Sequence, residues 1–193
     1  MTTPAPRFRS GAGRLSLDFI RTLRRRGTPE EAEELHTPEA LAAWVRQLGP
    51  CRDLPAGHPP TPALLALAQQ VREAAASLLH AARSPEGAAS CPDASRELLN
   101  RTAAGPVPVP VLDASGALHW HAPDPVPATL ALLARDALEL AASPLAARLR
   151  QCSGEECGCL FLDTSRPGTR RWCSMSTCGN QAKKAAFRER EQR

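Results

Sequence analysis

Four cysteines in two equally spaced pairs constrain this chain more than any other feature. Cys152 and Cys157 have four residues between them, as do Cys173 and Cys178, and fifteen residues separate the pairs. Two short loops joined by a hairpin can bring four sulfurs to the corners of a tetrahedron, the arrangement zinc prefers. Disulfides are the competing reading. They need an oxidising compartment, and the opening residues, MTTPAPRFRS, carry no apolar signal core that would deliver the chain to one. The spacing therefore predicts a metal site, and a cytoplasmic location is expected. Four thiolates leave no open position, so the expected cofactor is one structural Zn²⁺. Its binding energy would go into folding, on the order of 10–16 kcal/mol by comparison with zinc-finger peptides. So short a segment buries too little apolar surface to fold unaided. Cys159, two residues past Cys157, is expected to point away from the site. Cys51 and Cys91 are lone thiols with no assigned role.

Around the cysteines the sequence reads as a small module. Cys152 to Cys157 forms a tight loop, and Leu160 and Phe161 a short strand. Residues 166–169 turn the chain, Arg171 and Trp172 begin a returning strand, and Cys178 to Asn180 opens a terminal helix running to Glu191. A knuckle, a hairpin and a helix bearing the last ligand describe a small treble-clef-like zinc finger with four cysteine ligands. Phe161 and Trp172 are expected to fill its small core, with base stacking as the alternative role for Trp172.

Charge singles out the same module. Residues 1–149 balance 15 basic against 15 acidic side chains, so the net charge of +4 falls after them. Arg170 and Arg171 are neighbours on the returning strand and should point to opposite faces. On the helix, Lys184 and Arg188 are four apart and share a face, with Lys183 close to it and Arg190 beyond. These six, with Asn180 and Gln181 at the helix start, are the candidate nucleic-acid contacts, because such a helix can lie against phosphate or enter a major groove. A solvated helix on a purely structural module is the competing reading.

Before residue 149 the patterns are mainly helical. Leu15, Leu17, Phe19, Ile20 and Leu23 suit a short helix. Thr37-Pro38-Glu39 reads as a cap, a first-position proline and a first-turn acid, opening a helix through Leu41, Trp44, Val45 and Leu48 that stops at Gly49-Pro50. Thr61-Pro62 repeats the signal before a long helix striped from Leu64 to Leu79. Pro92 to Thr102 and Pro127 to Ala142 are further helices. Between them, Val107 to Leu112 and Leu118 to His121 flank a turn and read as one β-hairpin, whose prolines place the first strand on an edge. His119 and His121 share a strand face without further ligands near them, so exposed histidines are expected. Asp18 is read as an exposed or capping acid. Arg24 to Arg26 is read as a solvated run that Glu30 to Glu34 can neutralise. The fold class is thus mainly α with one hairpin over residues 1–148, followed by the finger over 149–193. The helical patterns lead to the expectation that residues 1–149 fold without the finger.

The motifs resemble a known pair of domains. RRWCSMSTCGNQ (Arg170 to Gln181), preceded by the first cysteine pair and by Phe161-Leu162-Asp163 and Ser165, resembles the CGNR-type zinc finger of bacterial proteins. Gln181 stands where that family has arginine; this removes one positive charge and weakens phosphate binding, or lets Gln181 read adenine. LSLDFIRTL (Leu15 to Leu23) resembles the LxLDFVNTL opening of the alanine-rich ABATE domain that precedes this finger, with Arg21 where the family has asparagine. Together the resemblances span almost the whole chain. They imply a stress-induced transcription regulator that binds DNA through its finger, with residues 1–148 sensing an unknown small ligand or forming a homodimer. The alternative is an adaptor, binding protein or small ligand, with a purely structural finger; RNA binding is a third reading. No catalytic motif is found, so an enzyme is not expected, and no apolar run is long enough to predict a membrane span.

Overall fold

The computed structural model describes residues 7–52, 54 and 59–191. Residues 1–6, 53, 55–58 and 192–193 lie outside them. Six α-helices carry the described fold: α1 Leu15–Ile20, α2 Pro38–Leu48, α3 Pro62–Ala81, α4 Asp93–Ala103, α5 Pro125–Ala142 and α6 Asn180–Glu191. α3, α4 and α5 pack on one another, and α1 lies across α3 and α5. Two helix starts obey the cap reading. Thr37 Oγ1 accepts the Ala40 N–H at 3.1 Å and Thr61 Oγ1 the Leu64 N–H at 3.2 Å, each followed by a proline whose missing N–H costs nothing there.

Local charge pairing fixes the long connection between α1 and α2. β1 (Leu23–Arg24) pairs with β2 (Ala32–Glu33), an addition to the single hairpin expected from sequence. Arg72 of α3 is buried and grips both Glu33 oxygens at 2.6 Å, while its Nε donates to Glu73 at 2.9 Å. The arginine run is not simply solvated. Arg24 meets Glu34 at 3.4 Å as expected, but Arg26 reaches Glu73 and Arg25 reaches Glu156 at 3.6 Å.

Asp18 is neither exposed nor a cap. Its carboxylate accepts the Gly11 and Ala12 N–H groups at 3.1 and 2.8 Å, so it shapes the loop before α1. That loop in turn touches the finger, because Ala12 O accepts the Leu162 N–H at 2.7 Å. Gly13, at φ +96°, is required there: a Cβ on it would stand 2.9 Å from Leu162 Cβ.

β3 (Val109–Leu112) and β4 (Leu118–His121) form the expected hairpin, with Val109 opposite His121 and Leu112 opposite Leu118. Asp113 Oδ1 accepts the Ser115 and Ala117 N–H groups and holds the turn. Every residue of both strands is exposed, Leu112 at 68% and Trp120 at 44%. His119 is exposed as expected and lies 2.8 Å from Asp113.

Two main apolar clusters fill the molecule. One surrounds Trp44, with Phe19 at 4.8 Å edge to face, and includes Leu35, Leu41 and Leu130. The other runs from Leu17, Val71, Leu79 and Leu140 straight into Leu149, Leu160, Phe161 and Leu162. Core packing is therefore continuous across the 148/149 boundary. No helix among the described residues is long and apolar enough to cross a membrane.

Candidate metal centre

The knuckle is built by a short ladder. β5 (Leu149–Gln151) pairs antiparallel with β6 (Leu160–Leu162), and the Cys152 N–H donates to Cys159 O at 2.9 Å, carrying the ladder one step further. The loop between them presents Cys152 and Cys157. Gly158, at φ +55°, lets the chain reverse, and Gly154 leaves room, since a Cβ there would stand 3.2 Å from Cys157 Cβ and 3.5 Å from Cys178 Sγ. Cys173 arrives from the turn side. Cys178 lies in a π-helical turn, Met175–Gly179, that runs into α6.

The sulfurs of Cys152, Cys157, Cys173 and Cys178 all lie within 4.8 Å of one another. Cys157 and Cys173 are 3.6 Å apart, as are Cys173 and Cys178. Zinc holds thiolates at about 2.3 Å, which sets tetrahedral sulfurs about 3.8 Å apart. The four residues therefore fit a zinc ion, and they are the four that the spacing selects. The Cys173 N–H donates to Cys152 Sγ at 3.3 Å, as does Gly154 N–H at 3.5 Å, orienting that sulfur. The crowded sulfurs of Cys159 and then Cys173 hold the Cys157 thiol well below its usual range, while Cys157 pushes the Cys173 thiol up and burial pushes Cys178 up. Bound zinc would take all four ligands as thiolates, and its two positive charges would offset half of their negative charge.

Cys159 does not point away. Its sulfur lies 3.4 Å from Cys157 Sγ. The reason is register: Cys159 sits opposite Cys152 on the ladder, and cross-strand partners share a face. Counting inward from the Leu149–Leu162 pair would have found it.

The returning strand is not formed. Arg171 and Trp172 have no ladder partner, and β6 pairs instead with the strand before Cys152. Asp163 is responsible. It is fully buried, and it accepts the Ser165 N–H at 2.9 Å, the Ser165 hydroxyl at 2.6 Å and the Arg170 N–H at 2.9 Å. These bonds close a loop over residues 163–170 and take up the amide a ladder would need.

The candidate nucleic-acid contacts divide. Arg170 turns inward: its Nε donates to Trp172 O at 2.8 Å, its Nη2 donates to Cys173 O, and its guanidinium lies 4.9 Å above the Phe161 ring. Asn180 donates to Ser176 O at 3.2 Å and braces the π-helical turn. Arg171 is exposed, stacked 5.1 Å over Trp172. Lys183, Lys184, Arg188 and Arg190 are exposed along α6, and none makes an ion pair among the described residues. Gln181 is exposed but lies on the side of α6 that faces the helical part of the chain.

Two family models match the chain. One, described as "CGNR zinc finger", covers residues 148–191. The other, ABATE, described as "Putative stress-induced transcription regulator", covers residues 13–144. No curated protein matches the chain.

Proposed function

The chain belongs to the ABATE family and ends in a CGNR zinc finger, and from that premise we propose that it is a zinc-stabilised regulator that contacts DNA through α6. The observation that supports this reading is a row of exposed cations, without an ion pair among the described residues, on a helix that starts at the metal centre. Some arginines elsewhere, Arg14, Arg24 and Arg72 among them, are spent on carboxylates. Lys183, Lys184, Arg188 and Arg190 meet no carboxylate among the described residues, and Arg171 adds a further exposed guanidinium on the adjoining loop. One structural zinc, held by Cys152, Cys157, Cys173 and Cys178, would fix the start of α6 and so the direction in which these cations project. Arg170 and Asn180 act inside the finger in this reading. Residues 1–148 would serve as a sensing or dimerising part. No catalytic role is proposed, and the cysteine-rich metal site suits the reducing cytoplasm.

Binding of this kind is mainly electrostatic. Three or four phosphate contacts give log affinity a slope of roughly −3 against log salt for a monomer. Titration of zinc-loaded protein with duplex DNA at several salt concentrations measures it, with single-stranded RNA as the competing arm. Lys184→Ala should weaken binding on every sequence and flatten the slope by about one. Absence of binding at low salt ends the regulator reading. The adaptor reading would then stand, and the exposed apolar hairpin of β3 and β4 favours it, since such surface commonly marks a contact with another protein or a second copy of the chain.

A further inference from the structure

A cleft of about 530 Å³ separates the loop after α1 from the finger. Its volume falls in the range of small-molecule sites. Arg9, Arg21, Arg24 and Arg25 converge on it from one side; Cys159 and Gln181 stand on the other. Leu23, Ala182 and Ala185 give it an apolar wall. Arg21 matters most. Its side chain is 5% exposed, and only Nη1 is engaged, donating to Ser10 O at 3.2 Å and lying 3.4 Å from Asp18. Nε and Nη2 meet no acceptor among the described residues, and neither is sealed from solvent as Arg26 Nη2 is, so both remain reachable by a ligand. Arg9 likewise makes no ion pair among the described residues.

Four carboxylates, Asp18, Glu34, Glu155 and Glu156, stand near the four arginines, so what the cleft offers is directed donors and not a net positive charge. Glu155 and Glu156 line it against four arginines, and Glu156 is drawn to Arg25 at 3.6 Å. Glu34, outside the lining, takes Arg24 at 3.4 Å and also attracts Arg9 and Arg21 at longer range. Arg9 and Arg21 keep donors in hand. Cys157 and Cys178 also line the cleft, but no described hydrogen bond joins any of these arginines to a sulfur. Arg25 is also held at φ +51°, a left-handed conformation that a non-glycine residue adopts only when its surroundings impose it.

We propose that this cleft binds a small organic anion, bearing a carboxylate or a phosphate, through Arg9 and Arg21. The planar guanidinium fork suits either group, and the apolar wall suits an attached carbon chain. The inference does not depend on DNA binding. Calorimetric titration of the zinc-loaded full chain tests it, with inorganic phosphate and succinate as separate probes and sodium chloride at matched ionic strength as the blank. Saturable one-to-one binding of either probe is expected, and the probe that binds identifies the anionic group. Arg21→Met should weaken it about tenfold or more, a loss of about 1.4 kcal/mol or greater. Arg9→Ala, at a half-buried position with no described bond to break, should do the same if Arg21→Met fails to fold. Arg101→Ala, an exposed arginine on α4, is the control and should change nothing. The proposal is overturned if neither probe saturates by roughly 10 mM, or if Arg101→Ala costs as much as Arg9→Ala.

Discussion

Asp163 shows how one side chain sets the geometry of a metal site it never touches. Its oxygens bind the Ser165 hydroxyl and the amides of Ser165 and Arg170, which brings Cys173 round to the knuckle. Those bonds, the Ser165 hydroxyl foremost, lower its pKa to about 2. A folded value below the unfolded one, about 3.9, means that its contribution is complete above pH about 4 and is lost as pH falls towards 2. The stability gap between the native chain and Asp163→Asn should therefore be full at neutral pH and close across that window. Urea unfolding at stepped pH measures it, and a gap that stays constant would contradict the assignment. Among the cysteines, Cys178→Ser should abolish zinc binding and unfold the C-terminal region, whereas Cys159→Ser should keep the metal. Elemental analysis with circular dichroism decides, and the reverse pattern would exchange the ligand assignment. The ligand set was legible because its spacing is covalent. The inward role of Arg170 was not, because its acceptors are main-chain carbonyls that leave no mark in composition.

At the scale of elements, the helices declared themselves through their caps. Thr37-Pro38 and Thr61-Pro62 open α2 and α3 where the sequence places them, since a hydroxyl and a proline act locally. Elements that depend on a distant partner were harder to read. β1 and β2 are two residues each and rest on Arg72, about forty positions away, so no periodicity could announce them. The contact between the loop before α1 and β6 is of the same kind. It rests on Gly13, and Gly13→Ala should cost about 2–4 kcal/mol, combining a left-handed backbone with an overpacked contact at Leu162. Gly11, at φ +92° with nothing near its Cβ position, provides the comparison: Gly11→Ala should cost about 1–2 kcal/mol. Denaturant unfolding of the two variants separates the terms. Equal costs would mean that β6 yields to the added methyl.

Over the whole molecule, the apolar cluster joins what the family models divide. Leu17 and Leu140 belong to one cluster with Leu160, Phe161 and Leu162, so the finger completes one of the two main clusters, while the one around Trp44 lies wholly within residues 1–148. A chain ending at residue 148 should keep the Trp44 cluster but melt at a lower temperature and less sharply than the full chain, with apolar surface exposed at Leu17 and Leu140. Circular dichroism on heating checks this, and a sharp transition in the fragment would show that the helices suffice. Patterning could show which residues are apolar but not that strands beyond the boundary cover them. The placement of the indoles has an optical consequence. The chain has three tryptophans and no tyrosine, so its intrinsic fluorescence comes from three rings in three settings. Trp44 is buried against Phe19, Trp120 stands exposed on β4, and Trp172 lies under Arg171 beside the metal ligands. Emission from the first should be blue and give way only on global unfolding. The second should be red and open to aqueous quenchers. The third alone should change when a chelator takes the metal, so a single spectrum followed in time would show in which order the core, the hairpin and the finger come apart.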